Sequence, residues 1–165
     1  MAVEIRIVAL FALLVAAMLG GRTQAADAVG PFTQAQVSAG RNAFLTYCSG
    51  CHNSYLLGNS GPPLAGPFFL DDWAAKSTHQ LFRFASTNMP LNAPGTLPQE
   101  TYLNLIAFIL AVNGARPGQT PFSKDSDVTI GGIVSGNLVV PVLEGEPDPV
   151  RTLPLRTKSG PGGGH

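Results

Sequence analysis

Cysteine is scarce in this 165-residue chain, which has only two, Cys48 and Cys51. A framework of structural disulfides needs more cysteines spread along the sequence, so that class of secreted protein is excluded. Charge is also scarce, because Asp, Glu, Lys and Arg together make up 12% of the residues and the formal net charge is zero. Without a run rich in Lys and Arg, the sequence gives no sign of nucleic-acid binding.

Long apolar runs are absent as well. The run from Ile7 to Leu19 is shorter than the roughly 18 residues that a bilayer-spanning helix needs. Arg6 precedes it and the small-residue stretch 23–25 follows it, a pattern that predicts a secretory signal peptide over 1–25. The sequence therefore predicts export to the periplasm. Contact with a membrane is expected only in the alternative case, in which the signal stays uncleaved as an anchor.

The two cysteines belong to a Cys-Ser-Gly-Cys-His run that ends at His52. In an exported protein this run is typical of a c-type haem attachment site. Two thiols at this spacing can each add to one vinyl group of the same porphyrin, and the next residue then holds an imidazole below the iron. The sequence predicts one haem c, bound covalently through Cys48 and Cys51, with His52 as an axial ligand.

Three other kinds of site compete for the same residues. A thioredoxin-like redox pair needs its C-x-x-C beside a βαβ pattern, and no such pattern surrounds Cys48. A zinc site needs further ligands, and the sequence has no second cluster of Cys and His. A disulfide between Cys48 and Cys51 would close a loop too short to constrain the chain much. Each alternative fits the pattern less well than a haem site.

Three helix starts of one type follow the predicted signal. In each, a hydroxyl residue precedes a glutamine by three positions, which is the capping-box pattern. The three hydroxyl residues are Thr33, Ser77 and Thr96. The helices that they open are predicted over about 34–47, 78–87 and from the turn of Pro98 to the stop at Asn113-Gly114. The stretch 53–72 carries Gly and Pro throughout and is predicted to be a loop.

Four landmarks of the sequence lie in a consistent order. They are the attachment motif at 48–52, a G-P-x-L-x-G loop at 61–66, the Asn-Met-Pro segment at 88–90, and the pairs Gly40/Phe44 and Tyr102/Ile106 on the first and last helices. With these landmarks, the region from about Thr33 to Gly114 resembles a class I cytochrome c domain. The resemblance implies an all-α fold of about three main helices around one covalent haem, over 26–116. An irregular C-terminal extension, 117–165, follows.

Met89 is predicted to be the second axial ligand of the iron. The other two methionines, Met1 and Met18, lie in the predicted signal, so Met89 is the only thioether of the mature chain. Its place between a short helix and Pro90 favours a kinked backbone that directs the sulfur toward the iron. The alternatives are a buried core methionine and a bis-histidine site that uses His79.

Other contacts of the haem follow from the resemblance. It implies that the backbone carbonyl of Pro62 accepts a hydrogen bond from His52, which would fix the tautomer of the ligand. Trp73 is predicted to bond a haem propionate through its indole N–H, with ordinary amphipathic packing as the alternative. The acidic pair at 71–72 is predicted to be an exposed helix cap. The residues predicted to wall the ring are Leu64, Phe68, Phe69, Leu81, Phe84 and Leu97.

The extension from 117 onward leaves two interpretations open. Its high Gly and Pro content favours a largely disordered tail. It also has two β-prone runs, 128–130 and 138–140, which are more apolar than a linker needs. These runs favour an arm that docks along a partner dehydrogenase or wraps back on the domain.

An iron with both axial positions filled has no open site for oxygen or peroxide, which argues for electron transfer instead of catalysis. The sequence therefore predicts a periplasmic one-electron carrier that is not an enzyme. Its expected donor is a dehydrogenase and its acceptor an oxidase or another cytochrome. The stretch 106–114 is also similar to cytochromes that serve PQQ-dependent alcohol dehydrogenases. The alternatives are a haem subunit fixed in an oxidoreductase complex, or a ligand-binding or peroxidase-type haem protein in which Met89 is displaced.

Overall fold

The computed structural model describes residues 29–140 and 151–153. The predicted signal peptide lies outside the described residues, as do 141–150 and 154–165 of the predicted extension. None of the described helices is long and apolar enough to cross a membrane.

Helix α1, Gln34–Tyr47, begins at the first predicted capping box. The Thr33 hydroxyl accepts a hydrogen bond from the Gln36 N–H at 3.3 Å, and the Gln36 side chain accepts one from the Thr33 N–H at 3.2 Å. Two of the N–H groups that a helix start leaves without a partner are thereby satisfied. The predicted helix over 34–47 is confirmed. The short helix α2, Ser49–His52, follows it directly and carries the end of the attachment motif.

Helix α4, Thr78–Asn88, begins at the second predicted capping box. The Gln80 N–H donates to the Ser77 hydroxyl at 3.3 Å, and the Ser77 N–H donates to the Gln80 side chain at 2.9 Å. The helix ends where Met89 turns to an extended conformation before Pro90, because the residue before a proline disfavours helical dihedrals. The prediction of a helix here is confirmed, and it runs one residue further than expected.

Helix α5, Gln99–Val112, does not begin at the predicted third capping box. Its N-cap is Pro98, which makes no side-chain hydrogen bond to the helix. The Thr96 hydroxyl instead donates to the carbonyl oxygen of Ala93 at 2.8 Å, so this side chain closes a turn before the helix starts. The predicted helix is present, but the predicted cap is wrong.

The predicted loop over 53–72 contains a helix, which corrects the prediction. Helix α3, Pro67–Trp73, has its proline at the first helical position, where a missing N–H costs nothing. The burial of Phe69 anchors this helix on the core. Asp71 and Asp72 are exposed, as expected, but they lie within the last turn of α3 and do not cap a helix start.

The crossing of α1 and α5 forms the centre of the core. Ten residues of α5 are buried, and a helix that is apolar all round packs inside a protein. Gly40 of α1 faces α5 so closely that a Cβ atom there would overlap the carbonyl oxygen of Asn104. Next to it, the rings of Phe44 and Phe108 lie 5.4 Å apart between centroids. The predicted crossing of the first and last helices at Gly40 and Phe44 is confirmed.

The described part of the extension packs back on the helices. Strand β2, Arg116–Gly118, pairs in parallel with strand β1, Val29–Thr33. Further along, Phe122, Ile130 and Leu138 are buried in the same core as the helices. A single 3₁₀ turn, Ile130–Gly132, precedes strand β3, Leu138–Val140, which pairs antiparallel with strand β4, Arg151–Leu153.

Residues 116–140 form the returning segment, and two side chains at helix starts bind it. The Phe122 N–H donates to Gln36 Oε1 at 2.7 Å, and Gln36 Nε2 donates to the Phe122 carbonyl at 3.0 Å. Thr78 at the start of α4 donates its hydroxyl to the Ser126 carbonyl at 2.8 Å and accepts from the Val128 N–H at 3.1 Å. Between Arg116 and Val140, the extension therefore wraps back on the domain.

Candidate functional site

A cavity of about 370 Å³ opens among residues of α1, α2, α4 and α5. Its volume lies within the range of cofactor and small-molecule sites. It brings together Cys48, Cys51, His52 and Met89, the residues predicted to attach and ligate a haem. Most of the remaining lining is apolar and comes from Phe44, Leu64, Ala85, Leu97, Leu105, Ile106 and Ile109.

The two thiols belong to one turn of chain. The N–H groups of Cys51 and His52 both donate to the Cys48 carbonyl, at 3.1 and 2.9 Å. The two cysteines form no disulfide, and Cys48 is half-buried whereas Cys51 is exposed. Burial, and to a smaller extent the nearby Cys51, raise the pKa of Cys48 to about 11, so this thiol stays protonated at neutral pH. One helical turn thus presents two sulfur atoms at different depths of the cavity.

His52 is held in one orientation by the loop that follows it. Its Nδ1–H donates to the carbonyl oxygen of Pro62 at 2.8 Å, so the contact expected from the resemblance is present. In the neutral imidazole this bond selects the tautomer with its hydrogen on Nδ1, so that Nε2 is the nitrogen that can bind a metal. Gly61 packs closely against the ring: a Cβ atom at this position would lie 2.8 to 3.1 Å from three imidazole atoms. The side chain is 8% exposed.

Met89 lies immediately after α4 and lines the cavity. Its N–H donates to the Ala85 carbonyl at 3.0 Å, and its own carbonyl accepts from the Gly95 N–H at 3.2 Å. Its carbonyl also accepts a hydrogen bond from the Tyr102 hydroxyl, and the Met89–Pro90 peptide bond is cis. The backbone of the predicted sulfur ligand is therefore held from three directions.

Tyr102 was expected from the sequence only as a residue of the helix crossing. In the structure it also holds the segment that carries Met89, a role that its position did not reveal. The one available signal was its hydroxyl on an otherwise apolar helix face, since a buried tyrosine usually finds a hydrogen-bond partner.

Two of the six residues predicted to wall the ring, Leu64 and Leu97, line the cavity. The other four belong to α3 and α4 and are not among the residues that line it. Phe69 and Leu81 are buried in the helical core, whereas Phe68 and Phe84 are 51% and 46% exposed. α5 also contributes to the wall of the cavity, through four residues that were not among the six predicted: Tyr102, Leu105, Ile106 and Ile109.

Trp73 lies at the end of α3 and is not among the residues that line the cavity. Its ring meets Phe84 edge-on with centroids 5.4 Å apart, and the ammonium nitrogen of Lys76 lies 4.4 Å from the ring centroid. These contacts are the amphipathic packing that the alternative interpretation expected. The bond between Trp73 and a propionate stays a prediction.

His79 faces the returning segment, and it is not among the residues that line the cavity. Its Nδ1–H donates to the carbonyl oxygen of Lys124 at 2.7 Å. The structure therefore brings Met89, and not His79, to the same cavity as His52. This arrangement gives the bis-histidine alternative no support.

The residues at the cavity fit a c-type haem. An imidazole and a thioether are the donor pair of cytochromes c, and two thiols beside them provide the attachment. No charged side chain is found among the described residues that line the cavity, so its wall is mostly apolar. Such a wall excludes water from a bound metal and lowers the local dielectric constant.

One family model and one solved structure are similar to parts of this chain. Residues 35–109 match the sequence profile of the family described as cytochrome C oxidase, cbb3-type, subunit III. A solved structure of the sulfane dehydrogenase SoxCD from Paracoccus pantotrophus is similar at 22% identity, with a TM-score of 0.41. That alignment covers 66% of this chain and 58% of the other, so the chain spans less than two thirds of that protein chain. No curated protein sequence matches the chain.

Proposed function

We propose that this chain, which has the class I cytochrome c fold, carries single electrons on one covalently bound haem. The observation that carries the proposal is the convergence of Cys48, Cys51, His52 and Met89 on one mostly apolar cavity. A haem bound there supplies an Fe(III)/Fe(II) couple. The chain supplies the two attachment points, the two axial donors and the exclusion of water.

The proposed ligands define what the site does. His52 donates its other ring hydrogen to Pro62, which raises the basicity of the ligating nitrogen. Met89 adds a neutral thioether, which disfavours the ferric charge and raises the reduction potential relative to a second imidazole. If His52 and Met89 both ligated the iron of a bound haem, no coordination position would be left for oxygen or peroxide. The proposed role is therefore electron transfer without catalysis.

The mouth of the cavity is the proposed surface for redox partners. Tyr47 and Leu91 line the cavity and are 49% and 79% exposed. The zero formal net charge of the chain leaves little long-range steering, so apolar contact at this mouth would dominate the encounter. We propose the periplasm as the compartment, from the predicted signal at 1–25. A dehydrogenase is the proposed donor, with the PQQ-dependent class favoured by the similarity at 106–114.

A second candidate is a haem subunit fixed permanently in an oxidoreductase complex. The family whose profile matches residues 35–109 is described as a subunit of an oxidase, and this description favours the candidate. The two roles differ in the strength of association. A fixed subunit would co-purify with a large partner at high salt, whereas a free carrier would elute alone.

The test is expression of the full chain in a host that matures c-type cytochromes. We expect a coloured periplasmic protein whose intact mass includes one haem, with a low-spin ferric spectrum. The reduced protein should bind carbon monoxide slowly or not at all. A double variant with Cys48→Ser and Cys51→Ser is the matched control and should lack the added mass. A colourless wild-type protein without the mass of haem would overturn the proposal.

A further inference from the structure

Asn113, the residue after α5, is completely buried although its side chain is polar. Its Oδ1 accepts a hydrogen bond from the Gly66 N–H at 2.9 Å. Its Nδ2 donates to the carbonyl oxygens of Leu64 at 3.0 Å and Ile109 at 2.8 Å. A primary amide can make about four hydrogen bonds, so this side chain is nearly saturated. From the sequence, Asn113 was expected only to stop the helix.

Two of these three bonds hold the loop that supports the axial histidine. Leu64 and Gly66 end the same loop in which the carbonyl of Pro62 accepts the hydrogen bond from His52. Only Pro63 separates Pro62 from Leu64, and both prolines have φ fixed by their rings. Because the φ angle of Pro63 is fixed, few free dihedral angles lie between Leu64 and the Pro62 carbonyl, so a displacement of Leu64 reaches that carbonyl with little absorbed between them.

The other end of this loop is held separately. The Gly61 N–H donates to the Cys51 carbonyl at 2.9 Å, which ties the loop to the attachment motif. On the side away from the motif, Asn113 holds Leu64 and Gly66, and the Leu64 N–H also donates to the Leu56 carbonyl at 2.8 Å. The helix end that carries Asn113 is fixed in turn, because the Asn113 carbonyl accepts from the Gly136 N–H at 3.3 Å.

We propose that Asn113 is a positioning residue for the axial histidine. By holding Leu64 and Gly66, it keeps the Pro62 carbonyl at hydrogen-bond distance from His52 and so sets the basicity of that ligand. A more basic imidazole stabilises the ferric state and lowers the reduction potential. Loosening the anchor weakens this effect and raises the potential. The inference rests on the proposed function, since it requires that His52 ligate a haem iron.

The experiment compares the holoprotein with two variants and a control. Asn113→Ala removes all three side-chain bonds, and Asn113→Ser keeps a smaller polar group. Val37→Ala is the control for general destabilisation, because this buried side chain of α1 does not line the cavity. Both Asn113 variants should keep the near-infrared sulfur-to-iron band of Met89 ligation and show a raised midpoint potential. The His52 ring N–H should exchange with solvent roughly tenfold faster, as expected for the loss of about one hydrogen bond.

The control should keep the wild-type potential and the wild-type exchange rate of the His52 ring proton. Potentials and exchange rates in the Asn113 variants equal to wild type, or equal to those of Val37→Ala, would overturn the inference. If neither Asn113 variant yields holoprotein, exchange in the wild type decides. The His52 ring N–H, the Gly66 N–H and the Asn113 side-chain amide should then open together, and unrelated opening rates would contradict the coupling. A wild-type chain without haem contradicts the proposed function instead.

Discussion

The hydroxyl of Tyr102 donates a 2.6 Å hydrogen bond to the carbonyl oxygen of Met89. Tyr102 is 3% exposed and belongs to α5, whereas Met89 directly follows α4. The same hydroxyl accepts from the Leu97 N–H at 3.4 Å. The buried side chain of Tyr102 therefore fixes both ends of the loop between α4 and α5, the loop that carries Met89.

Replacement of Tyr102 by Phe keeps the ring in the core and removes both hydrogen bonds. We expect a loss of about 1–2 kcal/mol in the free energy of unfolding, since each net hydrogen bond contributes about 1 kcal/mol. The near-infrared band of Met89 ligation should disappear at a lower temperature than in the wild type. Chemical denaturation and a thermal scan of that band measure the two effects. Tyr55→Phe, at a 56% exposed position that does not line the cavity, is the control and should change neither.

Replacement of Met89 by Ala tests the sulfur ligand directly. The variant should lose the near-infrared band completely and have a lower reduction potential, because the thioether that disfavours the ferric state is gone. Spectroelectrochemistry of the holoprotein measures both. Phe84→Ala, in the helix α4 that precedes Met89, is the control and should retain the band, since Phe84 is not among the residues that line the cavity. An unchanged spectrum in Met89→Ala would remove Met89 from the coordination of the iron.

Replacement of Gly61 by Ala tests the contact between the loop and the axial imidazole. The new methyl group would meet the His52 ring at 2.8 Å, so the ring or the loop must move. We expect less covalently attached haem per chain and a raised potential in the fraction that matures, because the bond to Pro62 weakens. Gly132→Ala is the matched control, since a Cβ atom at Gly132 meets nothing within 4 Å. Haem content and potential equal in the two variants would count against the contact.

Replacement of Gly40 by Ala tests the helix crossing. The added methyl group would overlap the Asn104 carbonyl, so α1 and α5 must separate. The expected cost is about 1–3 kcal/mol in the free energy of unfolding, the usual range for overpacked cores. Denaturant unfolding measures this cost, with Ala39→Ser at an exposed neighbouring position as the control. A free energy of unfolding equal to that of the control would show that α1 and α5 can separate here at little cost.

Truncation after Ala115 separates the two roles considered for the extension. It removes Phe122, Ile130 and Leu138 from the core, so we expect little holoprotein and a much lower midpoint of unfolding. An arm that served only to dock a partner would instead leave the haem spectrum and stability unchanged and slow reduction by the donor. Truncation after Leu153 is the control, because it removes none of the described residues.

Local sequence signals predicted the elements whose contacts are local. The capping boxes at Thr33 and Ser77 join residues three positions apart, and both helices begin there. The same pattern does not predict the start of α5, because that helix begins after Pro98, and the Thr96 hydroxyl donates to the Ala93 carbonyl in the turn before it. The sequence does not predict α3, because the helix is only seven residues long and its proline, which favours a helix start, is equally typical of a loop.

The same distinction holds at the site. The attachment motif is contiguous, so the residue types at 48–52 revealed it without knowledge of the fold. The contact of His52 with Pro62 came only from the resemblance to a family. The bond between Asn113 and Leu64 joins residues 49 positions apart, and no local pattern reports such a pairing. The burial of the segment after Arg116 also depends on contacts between residues far apart in the sequence, so local patterns do not predict it.

The pairing of Gln36 with Phe122 joins residues 86 positions apart. A chain is made from its amino end, so Cys48 and Cys51 are complete well before Phe122 exists to close the fold over the start of α1. The start of α1 therefore gains its long-range hydrogen bonds only after most of the chain has been made and can fold back on it.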